Sequence, residues 1–178
     1  MRELSKDEIL SYFEEINLRL ALEGKHGEIM LMGGAVLTLV MGARDSTRDI
    51  DAIFRPVEDM RKIISDIATD KDLPHGWLND SVKTYVTDKL NFEEYLQYTN
   101  LTVSAIDAES LLAMKLSSAR YGSKDMKDSI FLMQTLDIQT EQALYEILDR
   151  HIDPYLRNVR VKHFTKEAFV KYQEAAQR

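Results

Sequence analysis

Apolar residues follow helical or strand-like spacing in successive segments of the chain, and this pattern predicts its elements. Ser5 and Glu8 have the spacing of a capping box and precede apolar positions at helical intervals, which predicts a first helix from about Ser5 to Glu23. The same reasoning predicts strands near 28–32, 49–54, 94–98 and 101–106. It also predicts helices near 35–41, around Met60 to Ile67, and near 107–121, 124–136, 140–151 and 165–176. Asn79 can cap a further short helix. Strands early and helices late indicate an α/β chain of the α+β type, with a small mixed sheet flanked by helices and a helical C-terminal half.

The length and composition are those of an ordinary globular domain. The chain has 178 residues and contains no Pro/Gly-rich linker or repeat, so we expect one compact unit. Within it we expect an α/β core with the N-terminal helix at 1–106 and a helical part packed on that core at 107–178. The absence of Cys excludes zinc ribbons, thiol catalysis and disulfides. The longest apolar run, 35–41, is too short to cross a bilayer, so we expect a cytoplasmic protein without membrane contact.

The net charge is acidic but unevenly distributed. The chain has 23 Lys and Arg residues against 30 Asp and Glu residues, a net charge of −7. Such a charge repels nucleic-acid phosphates, so strong duplex binding would need a local basic patch, whereas acidity suits divalent metal ions. The balance reverses to a net +4 over 157–178. This segment is either a solvated basic helix or a nucleic-acid contact.

Two glycines and two aspartates form the strongest local signal for chemistry. Gly33 and Gly34 follow one predicted strand, and Asp49 and Asp51 lie two residues apart on the next. Residues i and i+2 of a strand project to the same face, so both carboxylates point to one place while Ile50 packs into the core. Two carboxylates with water and phosphate oxygens suit Mg²⁺, and glycines before a helix admit phosphates close to the backbone. Each pair alone is common in ordinary structure; the combination favours a metal–nucleotide site.

The order of these motifs resembles the DNA-polymerase-β-type nucleotidyltransferase superfamily, in which Gly-Gly-Ser or a relative precedes Asp-x-Asp on the following strand. In this chain Gly33-Gly34-Ala35 is followed, after thirteen residues, by Asp49-Ile50-Asp51. A closer resemblance is to the small bacterial branch near the AbiEii-type toxin nucleotidyltransferases. It covers roughly 28–137 and includes the segments 73–80 and 111–115, Arg120 and the segment 125–128.

The resemblance implies an enzyme that transfers a nucleotidyl group from a nucleoside triphosphate to a hydroxyl or other acceptor. It implies two bound Mg²⁺ or Mn²⁺ ions, with Asp49 and Asp51 as catalytic metal ligands. Ala35 departs from the superfamily pattern, which commonly has Ser or Thr there to help hold the triphosphate. A third metal carboxylate is also expected, and Asp107 is a candidate, with Glu94 and Glu109 nearby in the sequence. Asp107 equally suits the N-cap of the helix that begins there.

Lys115 lies inside the apolar stripe of its predicted helix. One alternative is that a phosphate or carboxylate at the site binds its ammonium group, which gives Lys115 a functional role. The other is that its aliphatic stem lies along the apolar surface and carries the ammonium group to solvent. The resemblance makes Asp125 and Asp128 candidates to anchor Lys115 or Arg120, or to contact nucleotide. Arg120 either adds positive charge near the nucleotide or is an ordinary exposed residue at a helix end.

Arg44 and Arg48 lie beside the acidic pair in the sequence. They either reach the triphosphate or neutralise the carboxylates when metal is absent. The leading hypothesis is therefore metal-dependent nucleotidyl transfer to an unknown acceptor, either RNA or protein, in a toxin–antitoxin or phage-defence context with an antitoxin partner. The alternative is a non-catalytic module of the same fold that binds nucleotide or a partner protein. A third reading is a purely structural domain whose Asp-x-Asp is accidental.

Overall fold

The computed structural model describes residues 3–121 and 124–176, without the side chains of 84 and 85. The chain divides into two compact units. The first, here called the α/β unit, comprises Met1–Val86 and Phe92–Ile106. The second, the helical unit, comprises Thr87–Asn91 and Asp107–Arg178. The sheets lie in the first unit and the second is built from helices, so the fold is of the α+β type.

The α/β unit contains three helices and seven strands among its described residues. The helices are α1 (Lys6–Leu22), α2 (Gly33–Leu39) and α3 (Val57–Asp70), and a 3-10 helix spans Ser81–Tyr85. The strands are β1 (Leu4–Ser5), β2 (Gly27–Met32), β3 (Ser46–Thr47), β4 (Ile50–Arg55), β5 (Leu78–Asn79), β6 (Phe92–Gln97) and β7 (Leu101–Ile106).

Five of these strands form one mixed sheet in the order β5-β4-β2-β7-β6. The central strand β2 pairs antiparallel with β4 and parallel with β7. The outer pairs are β4 with β5, parallel, and β7 with β6, antiparallel. Strands β1 and β3 form a separate antiparallel pair. Because β2 has a neighbour on both sides, its apolar residues Ile29, Leu31 and Met32 are fully buried, as expected for an interior strand.

The start of α1 follows directly from the sequence. Ser5 Oγ accepts a hydrogen bond from the Glu8 N–H at 3.3 Å, and the Ser5 N–H donates to Glu8 Oε2 at 2.9 Å. This reciprocal pair is the predicted capping box, and it satisfies backbone donors that the first helical turn leaves open. The apolar positions that predicted the helix, Ile9, Phe13, Ile16 and Leu20, are all buried.

The helical unit contains four α-helices in its described part: α4 (Ala108–Ser118), α5 (Asp125–Thr135), α6 (Glu141–His151) and α7 (Val159–Ala176), with a 3-10 helix at Pro154–Leu156. Helix α7 begins six residues earlier than the predicted start at 165. Val161 and Phe164 are buried and extend its apolar face toward the N-terminus. The intervening polar residues Arg160, Lys162 and His163 obscure that face in the sequence.

A short segment, Thr87–Asn91, joins the helical unit although it lies between two parts of the α/β unit in the sequence. We call it the strap. The Asn91 N–H donates to Ser110 Oγ at 3.0 Å, and the Asp107 N–H donates to the Asn91 carbonyl oxygen at 3.1 Å. The buried His151 places Nδ1 2.8 Å from the Lys89 carbonyl oxygen. These polar contacts hold the strap against α4 and α6.

Three short strands and two boundaries differ from the sequence expectations. Helix α2 begins at Gly33 and ends at Leu39, two residues earlier at each end than predicted. Asn79 lies in β5 rather than at a helix N-cap, although its Oδ1 accepts a hydrogen bond from the Ser81 N–H at 3.1 Å. The two-residue strands β1, β3 and β5 were not predicted, because two residues carry no readable period. No helix in the described ranges is long and apolar enough to cross a membrane.

Candidate active site

The backbone of Gly33 lies directly against the carboxylate of Asp51. Strand β2 ends at Met32, which pairs with Asp51 of β4, so the chain turns into α2 beside this aspartate. Gly33 has φ +63°, a conformation that other residues adopt only at a cost. A Cβ atom at Gly33 would lie 2.8 Å from Asp51 Oδ2, closer than non-bonded atoms approach. Glycine suits this position for its backbone angle, and any side chain there would force the Asp51 carboxylate to move.

Gly34 is similarly close to Arg44 and Thr47. A Cβ atom at Gly34 would lie 3.4 Å from Arg44 Nη1 and 3.1 Å from Thr47 Oγ1. The buried Thr47 donates from Oγ1 to the Asp49 carbonyl oxygen at 3.1 Å, which fixes the backbone immediately before β4. Gly34 is thus packed beside a cationic side chain and the turn that carries the first aspartate.

Asp49 and Asp51 lie on either side of a buried residue. Ile50 is fully buried and its N–H donates to the Trp77 carbonyl oxygen at 2.8 Å. Asp49 precedes the first residue of β4 and is exposed, whereas Asp51 is half-buried. The prediction that Ile50 packs into the core is confirmed. We call Gly33, Gly34, Arg44, Asp49 and Asp51 the glycine–aspartate site.

Arg48 has a different neighbour. Its Nε lies 3.6 Å from Glu3 Oε1, and both side chains are largely exposed. The structure thus brings Arg44, rather than Arg48, against the glycine pair. A role for Arg48 in nucleotide binding stays a prediction.

The donor set of the glycine–aspartate site suits a hard divalent cation. Two aspartates two residues apart provide carboxylate oxygens, and Gly33 places no side chain of its own beside Asp51. Mg²⁺ usually takes one or two protein carboxylates and completes its shell with phosphate oxygens and water. No group of three or more His, Asp or Glu residues suited to a metal is found within 3–121 and 124–176. Metal binding by Asp49 and Asp51 stays a prediction.

Two of the three candidates for the third carboxylate, Asp107 and Glu109, have other partners in the structure. Asp107 is the N-cap of α4, and its Oδ1 accepts a hydrogen bond from the Ser110 N–H at 2.7 Å. Glu109 Oε1 accepts from Arg150 Nε at 2.9 Å and lies 2.8 Å from His151 Nε2. Glu94 is exposed on β6. Capping is thus the role the structure gives Asp107, and metal binding by Asp107 stays a prediction.

A second group of predicted residues is assembled within the helical unit. Lys115 Nζ lies 2.7 Å from Asp125 Oδ1 and 3.0 Å from Asp128 Oδ2. All three side chains are buried, with 10%, 3% and 5% of their surface exposed in that order along the chain. Arg120 Nε lies 2.6 Å from Asp125 Oδ2, although two thirds of the Arg120 side chain is exposed. We call these residues, with Ser118, the lysine cluster.

The lysine cluster decides between the open alternatives for Lys115. Its ammonium group does not reach for solvent; it is held by two carboxylates, as an anchoring role for Asp125 and Asp128 predicts. Burial raises the pKa of Asp125, but hydrogen bonds from Arg120 and Lys115 outweigh that effect and hold the pKa below its ordinary range. Asp125 is therefore an ionised partner at neutral pH. Nucleotide contact by these residues stays a prediction.

Two contributing residues were not identified from the sequence. Ser118 Oγ donates to Asp125 Oδ2 at 3.1 Å, and Thr47 holds the Asp49 backbone as described above. Ser118 lies three residues after Lys115, on the same side of α4, so this spacing indicates that the two side chains can share a partner. Thr47 stands two residues before Asp49, where a hydroxyl commonly bonds nearby backbone.

A family model described as a nucleotidyltransferase of unknown function (DUF6036) matches residues 7–177. The chain belongs to this nucleotidyltransferase family. Membership confirms the predicted resemblance to nucleotidyltransferases, supports a general nucleotidyltransferase role and implies a nucleotide substrate. Placement in the AbiEii-type branch stays a prediction. Searches among curated proteins and among solved structures each found no match to the chain.

The nucleotidyltransferase family model spans both units of the structure. The glycine–aspartate site and the lysine cluster both fall inside the matched range. The family assignment therefore covers the part of the chain that contains both groups.

Proposed function

We propose that the protein is a metal-dependent nucleotidyltransferase that moves a nucleoside monophosphate from a nucleoside triphosphate to an acceptor. The observation that carries the proposal is that a Cβ atom at Gly33 would lie 2.8 Å from Asp51 Oδ2, so that the carboxylate keeps its place only beside a residue without a side chain. As mere packing this arrangement has no evident benefit. It is useful where a phosphate chain and a cation must approach the same carboxylate.

Each residue of the glycine–aspartate site has a distinct task in this proposal. Asp49 and Asp51 hold Mg²⁺ or Mn²⁺, and Gly33 and Gly34 let the phosphates approach the backbone. Arg44, beside Gly34, contributes positive charge toward the phosphate oxygens. The bound cations supply charge neutralisation at the reacting phosphate.

The reaction itself is a displacement at phosphorus. An acceptor oxygen forms a bond to the α-phosphorus, and the bond from that phosphorus to the bridging oxygen of pyrophosphate breaks. The acceptor loses a proton and pyrophosphate leaves with the electron pair. This site can promote that step chiefly by positioning and electrostatics, since phosphoryl and nucleotidyl transfer need little covalent help from a protein.

The direct test is transfer of label from α-labelled nucleoside triphosphates to macromolecules of a cell lysate. Asp51→Asn and Asp49→Asn remove charge while nearly preserving shape, so we expect each to reduce labelling at least about 100-fold. Asp45→Asn is the matched control, because Asp45 is an aspartate in the loop before β3, outside the glycine–aspartate site. Labelling that survives in the Asp49→Asn, Asp51→Asn double variant would exclude this mechanism.

The alternative, a nucleotide-binding module without turnover, is favoured by Ala35. This residue is fully buried on α2, and as an alanine it has no hydroxyl group to hold a triphosphate. Calorimetry with Mg²⁺ and each triphosphate, followed by the labelling assay, separates the two functions. Binding without labelling identifies the module, whereas binding with labelling identifies the enzyme. A thermal shift that needs both Mg²⁺ and nucleotide is the expected companion result for either function.

The acceptor and cellular context belong to the proposal as well. We expect RNA or protein as the acceptor and, from the resemblance to toxin nucleotidyltransferases, an antitoxin partner. The roles of Lys115 and Arg120 in balancing phosphate charge, and of Asp107 in metal binding, rest on that resemblance. Identification of the labelled macromolecule by nuclease and protease digestion decides between the two acceptor classes.

A further inference from the structure

An exposed aromatic ring in the helical unit is flanked by cations. Tyr121, which follows the end of α4, is 47% exposed. Its ring meets the buried ring of Phe164 edge-on, with centroids 5.2 Å apart and planes at 83°. The guanidinium carbon of Arg160, one turn before Phe164 on α7, lies 6.0 Å from the centre of the Tyr121 ring. Phe164 therefore fixes the ring while one helix supplies a cation beside it.

Residues close to Tyr121 in the sequence add further positive charge. Lys124 and Lys127 are exposed at the start of α5, and most of the Arg120 side chain is exposed next to Tyr121 in the sequence. The acidic residues of the same turn, Asp125 and Asp128, are buried; both bind Lys115, and Asp125 also pairs with Arg120. We call Arg120, Tyr121, Lys124, Lys127 and Arg160 the basic–aromatic patch.

We propose that the basic–aromatic patch binds single-stranded nucleic acid, for which a short RNA serves as the probe. An exposed aromatic ring beside cations is the combination that binds unpaired nucleic acid, because a base stacks on the ring and the cations attract phosphates. A duplex offers no free base face to Tyr121, and an acidic protein of net charge −7 needs such a local basic area to overcome general repulsion. Only the further statement that this RNA is the nucleotidyl acceptor rests on the proposed function.

The test is fluorescence anisotropy of a short fluorescein-labelled RNA without stable secondary structure, titrated with the full chain at several salt concentrations. We expect saturable binding that weakens with salt. Tyr121→Leu keeps an apolar contact with Phe164 but removes the stacking face, so it should weaken binding roughly tenfold, whereas Tyr121→Phe should retain it. Log affinity falls with log salt concentration, and Arg160→Gln should make this negative slope shallower by about 0.7, the value of one single-strand phosphate contact.

Matched controls keep the result specific. Tyr155 is 78% exposed on the 3-10 helix Pro154–Leu156, and Arg150 is an exposed cation paired with Glu109. Tyr155→Leu and Arg150→Gln should bind RNA as the unchanged chain does. Free mononucleotide at the same total nucleotide concentration should fail to displace the RNA, since one nucleotide engages only part of the patch. Displacement at equal nucleotide concentration would overturn the assignment to single-stranded nucleic acid.

The outcomes also separate this inference from the proposed function. Asp51→Asn should lose nucleotidyl transfer and retain RNA binding. Failure of the unchanged chain to bind RNA at low salt, or undiminished binding by Tyr121→Leu, overturns the inference even if label is transferred to protein. RNA binding through Tyr121 with no transfer to any acceptor supports the patch and contradicts the proposed enzyme.

Discussion

Replacing Gly33 by alanine should damage catalysis far more than it damages the fold. The new side chain would require the backbone to keep φ near +63°, which costs a non-glycine residue about 1–2 kcal/mol. Its Cβ would also lie 2.8 Å from Asp51 Oδ2, whereas Asp51 Cβ and Cγ, at 3.5 and 3.6 Å, are at ordinary distances. The carboxylate can therefore turn away at little cost in stability. That movement misplaces the proposed metal ligand by several tenths of an ångström, and we expect labelling to fall about 10- to 100-fold.

Gly42 provides the matched control for this substitution. It has the same φ of +63°, and a Cβ there would meet no described atom within 4 Å. Both Gly33→Ala and Gly42→Ala should lower the melting temperature by roughly 2–8 °C, at about 2–4 °C per kcal/mol for a chain of this size. Only Gly33→Ala should lose activity, measured as label transfer at a temperature where both variants are folded. Equal activity of the two variants would refute the argument that this contact positions Asp51.

Three further predictions concern the forces that stabilise the fold. Lys115→Met leaves buried carboxylates without their ammonium partner and should cost about 3–5 kcal/mol in urea unfolding, whereas Lys62→Met, at an exposed surface pair, should cost less than about 1 kcal/mol. Hydrogen bonds from Arg120 and Lys115 hold the pKa of Asp125 below its ordinary value, so ionised Asp125 stabilises the folded protein above about pH 4. This contribution should vanish as the pH falls through the lowered pKa. The Asp125→Asn variant should therefore lose less stability over the same acid range. Ser5→Ala removes the α1 cap and should cost about 1 kcal/mol, and no change in the urea midpoint would contradict the assigned capping role.

The parts of the site that the sequence predicts are those in which one residue type is required by local geometry. Gly33 and Gly34 stand at the end of an apolar strand, and the alternation of Asp49, Ile50 and Asp51 places the middle residue in the core. Gly33 lies beside Asp51 because β2 and β4 are neighbours in register, with Met32 paired to Asp51. The spacing of apolar residues and the residue types thus suffice to predict this part of the site, because both strands are long enough to be recognised in the sequence.

Other features depend on tertiary contacts that no local pattern contains. Arg44 and Arg48 are equivalent from the sequence, yet Arg44 lies by Gly34 and Arg48 by Glu3. The pairing of β1 with β3 fixes the end of the loop that leads from α2 into β3, and each of these strands has only two residues. Lys115 illustrates an intermediate case: its place in an apolar stripe indicates a buried partner, and only the folded chain identifies that partner as a pair of aspartates.

The strap makes the helical unit discontinuous along the chain, and this limits how the protein can be divided. A fragment that ends after Ile106 would carry Leu90 and Asn91 without the helices that bury and bind them. A fragment that starts at Asp107 would lack the Asn91 and Lys89 backbone groups that face Ser110 and His151. Cutting the gene at the apparent junction therefore removes the strap from the helical unit and leaves it on the α/β fragment, so the halves are better produced as one polypeptide than as separately expressed domains.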